Sequence, residues 1–208
     1  MSLATPGAEP PVVAGNVYPK YHTRNPIARR LVAGYLAAFH ELVDLSGADD
    51  VLEVGCGEGI LSTALATKGC RVRGVDLSPA IIEVARANAA AGLDVRFEVA
   101  SVYDMDPDAD SAGLVVCCEV LEHLQEPQRA LEILAKLANP YLLVSVPREP
   151  LWRVLNMMRG RYLTDLGNTP GHLQHWSQHQ FLSTLERFTE IVAVRAPLPW
   201  TMVLCRAR

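Results

Sequence analysis

Residues 51–59 read VLEVGCGEG: apolar positions around one acid, then glycine at every second place. The first half, with Glu53 inside it, has the composition of a buried strand. A turn from strand to helix that is tight, and that lets a ligand approach bare backbone, needs glycine at 55 and 57. Gly59 lets the next helix pack close to the strand. A turn that only joined the two elements would need a single glycine.

Outward from this stretch, strand and helix patterns alternate. Short β-branched runs lie at Val51–Gly55, Arg71–Asp76, Val95–Ser101, Leu114–Glu119 and Leu142–Pro147, then at Glu190–Ala196 and Met202–Arg206. Helical patterns cover Ile60–Lys68, ended by Gly69, and Pro79–Ala91, with Ser78 as N-cap and Gly92 as stop. Pro127–Ala138 places Leu131, Leu134 and Leu137 on one face, and Pro26–Val43 reads as an amphipathic helix covering the sheet or the site. Such alternation predicts a doubly wound, mostly parallel α/β sheet with helices on both faces. Only about five residues, Pro197–Thr201, part the last two strands; that is too short for a crossover, so the pair is expected to be an antiparallel hairpin.

The chain has 208 residues, enough for one domain with a sizeable core. Its net charge of −4 argues against general nucleic-acid binding, which needs a concentrated basic surface. The five cysteines (Cys56, Cys70, Cys117, Cys118, Cys205) form no C-x-x-C pair and no ligand spacing with histidine. Packed, reduced thiols in a cytoplasmic protein are the expectation. No apolar run reaches the roughly 18 residues of a spanning helix. The opening MSLATPGAEPPVVAG has neither a basic start nor an apolar core, so no signal peptide is read there, and residues 1–17 are expected to be a mobile tail.

Asp76 ends the second strand about twenty residues past the glycine turn, where a carboxylate can accept from both hydroxyls of a ribose. That suits NAD(P) and S-adenosylmethionine alike. The glycine spacing is G-x-G-x-G, however, and Ile60 stands where the dinucleotide fingerprint G-x-G-x-x-G has its third glycine. Glu53 would repel a pyrophosphate and favour a ligand carrying ammonium and sulfonium charges. The residues prefer a cationic nucleoside.

VLEVGCGEG resembles motif I of the class I S-adenosylmethionine-dependent methyltransferases. VDLSP (75–79) resembles the acidic motif that follows, CEVLEHL (118–124) the segment after the fourth strand in the small-molecule branch, and LLVSVP (142–147) the fifth-strand motif. The resemblance implies a Rossmann-like seven-stranded sheet of order 3-2-1-4-5-7-6. It implies one methyltransferase domain over 18–208, with a helical cover at 18–45 and a substrate-side insertion at 148–176. It also implies S-adenosylmethionine as cofactor. The backbone of Gly55, Cys56 and Gly57 would line the methionine part, with Glu53 orienting the loop or reaching the amino group through water. Asp76 would hold the ribose, Leu77 would lie against the adenine, and the backbone at Cys118 and Glu119 would close the site. The family often has an acid after the third strand; here Ser101 and Val102 stand there, shifting adenine recognition toward a hydroxyl and backbone. Tyr21 or His22, before the first helix, could fold over the cofactor.

Methyl transfer from a sulfonium needs chiefly an acceptor held in line, with a base only where the nucleophile must lose a proton. The candidate catalytic residues are His123 and His175. His172, His175 and His179 are spaced three and four apart, which permits metal ligation, but no acidic or thiol partner is apparent and no metal is expected. Ser177 with Gln180 makes a capping box. The insertion REPLWRVLNMMRGRYL (148–163) carries four arginines beside Leu151, Trp152, Leu155 and Met158. That pattern reads either as a helix over the sheet end or as a surface for an anionic or lipid-linked acceptor. The resulting expectation is a methyltransferase acting on a small molecule, at oxygen ahead of nitrogen or carbon. The alternatives are an NAD(P)-dependent oxidoreductase and a non-catalytic S-adenosylmethionine-binding protein.

Overall fold

The computed structural model describes residues 25–160 and 162–208. Strands β1 (Asp50–Val54), β2 (Arg71–Asp76), β3 (Val95–Val99), β4 (Ala112–Cys118), β5 (Ala138–Pro147), β6 (Thr189–Arg195) and β7 (Trp200–Ala207) form one sheet. Its order is β3-β2-β1-β4-β5-β7-β6, as the resemblance implies. The first five strands run parallel; β7 lies antiparallel between β5 and β6, so the short 197–201 connection does make a hairpin.

Because successive side chains of a strand point to opposite faces, the sheet builds two cores. Leu114, Val116 and Cys118 of β4, with Leu143, Met202 and Leu204, pack under α1 (Pro26–Ser46) and α2 (Ile60–Thr67). Val115 and Cys117, with Leu142, Val144, Val203 and Cys205, pack under α5 (Pro127–Leu137) and α7 (Gln178–Leu185). The leucines at 131, 134 and 137 form the buried stripe of α5, as their spacing predicts.

Local chemistry sets the helix ends. Asn25 caps α1 by accepting from the amides of Ile27 and Ala28, and Gly47 ends that helix in the left-handed region at φ 64°. Ser78 caps α3 (Pro79–Asn88), which stops three residues before the predicted Ala91. Between β3 and β4 the crossover shrinks to a 3-10 turn at Val102–Asp104 and the single-turn α4 (Pro107–Asp110), capped by Asp106. Strand β5 begins four residues earlier than the sequence pattern shows. It takes in Asn139 and Pro140, where the β4–β5 register shifts and proline's missing N–H leaves no ladder bond to lose. The insertion folds as α6 (Leu151–Met158) followed by a loop to α7.

Helix α1 shares the sheet core, since Tyr35, Phe39, Leu42 and Val43 are buried against the central strands. Replacing Phe39 with alanine is therefore expected to destabilise the fold by about 3–5 kcal/mol. Urea denaturation followed by circular dichroism checks this; an unchanged midpoint would mean that α1 is a detachable cover.

Candidate functional site

The sheet's strand order reverses between β1 and β4, and sheets of this kind take ligands at such a point, beyond the carboxyl ends of the strands. The chain leaves β1 through Gly55, Gly57 and Gly59, all left-handed, with φ of 76°, 53° and 74°. The amides of Gly55 and Cys56 both donate to the Val75 carbonyl of β2, at 2.8 and 2.9 Å. A Cβ on Gly55 would lie 2.2 Å from Val120 Cγ2, so the turn packs directly on the exit of β4. Asp76 completes the turn: its Oδ2 accepts from the Gly57 amide at 3.1 Å and its Oδ1 from the Ser78 amide at 3.0 Å. Glu53 is 3% exposed and accepts from Ser62 Oγ of α2 at 2.5 Å, bracing the turn from beneath.

Leu77, just past Asp76, is half exposed despite being apolar. Ser101 and Val102 sit at the exit of β3, two places along the sheet from β1; Ser101 Oγ accepts from the Tyr103 amide at 3.2 Å and Val102 is buried. Cys56 and Cys118 are both buried, and burial pushes the Cys118 thiol up to about 12, so it stays protonated at neutral pH. Tyr21 and His22 lie outside the described residues.

Beyond Cys118 the structure assembles a group that sequence reasoning missed. Glu119 has φ 61°, an uncommon conformation for a residue with a Cβ. Its carboxylate accepts from Trp200 Nε1 at 2.6 Å and from Ser145 Oγ at 3.3 Å. Ser145 Oγ also lies 3.0 Å from the Tyr35 hydroxyl. One acid at the end of β4 thus gathers side chains from β5, β7 and α1. The CEVLEHL motif marks the position of Glu119, but no local signal marks partners 26 and 81 residues downstream.

The next turn carries Glu122 and His123. The carbonyl of Glu122 accepts from the amides of Leu173 and Gln174 at 2.7 and 3.0 Å, and Gln174 Nε2 donates to the Leu124 carbonyl at 3.1 Å. His123 Nδ1 lies 2.9 Å from the Gly171 carbonyl. These bonds bring His172 edge-on to His123, with ring centroids 4.9 Å apart, and stack its other side near Trp152 at 6.0 Å. Burial, with His123 and His175 nearby, pushes the His172 imidazole down to about 3, so it is neutral at neutral pH. The sequence favours His175 over His172 for the cleft; the two residues differ in their surroundings. His172 is packed against His123, while His175 is exposed with Nε2 2.8 Å from Asn168 Oδ1. The acid that the histidine spacing lacks is supplied by Glu122, fifty residues upstream: one ligating atom each from Glu122, His123 and His172 lie within 4.8 Å of one another. His179 is exposed on the first turn of α7, and Ser177 and Gln180 form the predicted capping box.

The insertion is strapped to the same loop. Trp152 Nε1 donates to Thr169 Oγ1 at 2.9 Å, Asn156 Nδ2 to the Gly167 carbonyl at 2.9 Å, and Arg153 Nε to the Leu166 carbonyl at 2.9 Å. Val154, Met158, Leu163, Leu166 and Leu173 remain exposed. No described helix is long and apolar enough to cross a membrane.

Residues 51–141 match the family model described as a methyltransferase domain. The ubiquinone biosynthesis O-methyltransferase of Coxiella burnetii (strain Dugway 5J108-111) is 34% identical over 128 residues, 61% of this chain and 51% of that protein. The protein of the same description from Xanthomonas oryzae pv. oryzae (strain PXO99A) is 33% identical over 150 residues, 70% of this chain and 59% of that one. The chain thus spans about half the length of the curated relatives it matches. Among solved structures, magnesium protoporphyrin IX methyltransferase from Synechocystis PCC 6803 with bound SAH superposes with a TM-score of 0.68 at 20% identity, covering 89% of each chain. An S-adenosylmethionine-dependent methyltransferase from Mesorhizobium loti gives 0.65 at 19% identity over 83% of this chain and 97% of that one. Residues 51–141 thus match a methyltransferase domain, and the sheet has the strand order that its motifs imply.

Proposed function

We propose that the chain transfers a methyl group from S-adenosylmethionine to a hydroxyl oxygen of a small, lipid-linked acceptor. The observation that carries the reading is the turn after β1. Bare backbone borders open space there, since a Cβ on Gly57 would meet nothing within 4 Å, and Asp76 stands at its side. That cradle fits the cofactor: an adenosyl donor needs room over peptide groups and an anion at its sugar. Each Asp76 oxygen accepts one backbone N–H and retains a second lone pair for a ribose hydroxyl. The peptide groups of Gly55, Cys56 and Gly57 take the methionine part, Leu77 offers an apolar surface to the adenine, and Ser101 and Val102 supply polar contacts at its rim. The buried Cys118 closes the floor through its backbone. When bound, the cofactor supplies an activated methyl group, so the protein's remaining work is to orient the acceptor and take its proton.

The relatives' descriptions, which name ubiquinone biosynthesis and O-methylation, support oxygen as the acceptor atom and a lipid-like molecule as its carrier. The exposed apolar groups of the insertion, interleaved with Arg153 and Arg159, suit an acceptor presented at an anionic lipid surface. His123 positions the acceptor side from its turn. His175 accepts the hydroxyl proton as the general base.

Asp76→Ala is expected to weaken binding of the demethylated cofactor at least about tenfold by calorimetry, the loss of a charge-assisted hydrogen-bond pair. Unchanged affinity, or binding of NAD to the unaltered chain, would sink the reading. Turnover of labelled S-adenosylmethionine against phenols and catechols with and without prenyl tails tests the acceptor. His175→Ala should cut that turnover by about 10²-fold or more while leaving cofactor affinity intact; equal loss of both would assign the residue to folding instead. Sedimentation with anionic vesicles should show binding that falls as salt rises.

A further inference from the structure

Outside the glycine turn, the tightest convergence of ligating side chains among the described residues is Glu122, His123 and His172, with one donor atom from each inside a 4.8 Å span. Two segments fifty residues apart supply them. The segments are pinned by the Leu173 and Gln174 amides on the Glu122 carbonyl and by Gln174 on the Leu124 carbonyl. The two segments are therefore held together by hydrogen bonds independent of any ligand.

The geometry around His123 is specific in a further way. A carbonyl can only accept, so the 2.9 Å contact with Gly171 O makes Nδ1 the protonated nitrogen and Nε2 the one with a lone pair. Carbonyls orient metal-bound imidazoles by this bond. His172 is 9% exposed and stacked near Trp152, which walls one side of the cluster with an aromatic face. Glu122, 1% exposed, contributes a carboxylate from within the protein.

We propose that Glu122, His123 and His172 bind a divalent first-row transition metal ion, of the kind represented by zinc and manganese. One carboxylate and two imidazoles form a nitrogen–oxygen donor set suited to such ions, and three protein ligands leave room for an oxygen donor. Val120, whose side chain faces Gly55, stands two residues before Glu122 in the chain. The site stands apart from the methyl-transfer reading, because metal binding is measured without cofactor or acceptor.

Titration of chelator-treated protein with Zn²⁺ and, separately, Mn²⁺ is expected to show one ion per chain by calorimetry for at least one metal. His172→Ala and His123→Ala should each weaken binding by about 10–100-fold or more, and His179→Ala, on the exposed face of α7, should not. Co²⁺ gives an optical check, since loss of an imidazole ligand changes its visible absorption. Circular dichroism identifies the variants that retain the fold; should His172→Ala lose it, His123→Ala carries the test. Absence of stoichiometric binding by the unaltered protein, or equal affinity in it and a folded ligand variant, overturns the proposal. Failure of the demethylated cofactor to bind would overturn only the methyl-transfer reading.

Discussion

The turn between β1 and α2 constrains the molecule more than any other segment. Three residues at alternate places adopt left-handed backbone, and the amides between them are consumed by the neighbouring strand: two on the Val75 carbonyl and one on Asp76. A side chain at 55 would collide with Val120, and one at 59 would lie 2.7 Å from Phe97. The close packing that fixes α2 against the sheet therefore also brings the ends of β1, β2 and β4 together. Glu53 reinforces it from below through Ser62, which lets a buried carboxylate keep a hydrogen-bonded partner.

Most of this was legible in the sequence because it is local. Glycines at 55, 57 and 59, Asp76 at a strand end, Ser78 before Pro79 and Ser177 before Gln180 each express their structural reason within a few residues. Short β-branched runs and the short last connection supplied the strands and the antiparallel final pair, while the strand order came from the family resemblance. The departures have physical causes of longer range. Strand β5 extends through Pro140 because the register shift removes the need for its N–H. His172 lies against His123 because backbone bonds from residues 173 and 174 reach Glu122, a pairing that no spacing encodes.

The group around Glu119 shows the same contrast. Glu119 occupies strained backbone and holds Trp200 and Ser145, so three strands and α1 converge on one carboxylate. Backbone strain in a residue with a Cβ persists where surrounding contacts over-determine it. Here those contacts are a charge-assisted indole bond and a hydroxyl relay, both between parts of the chain remote in sequence. The glycine turn comes from short contiguous motifs; the group around Glu119 comes from tertiary assembly.

The reversed direction of β7 orders how the two halves come into being during synthesis. A parallel seventh strand would enter the sheet at the opposite rim; running backwards, it begins at the rim where Glu119 lies and delivers Trp200 there first. The glycine turn, Val75 and Asp76 have all left the ribosome more than a hundred residues before that indole does. A nascent chain can thus present the residues of the glycine turn early, whereas the group around Glu119 waits for the hairpin that delivers its indole.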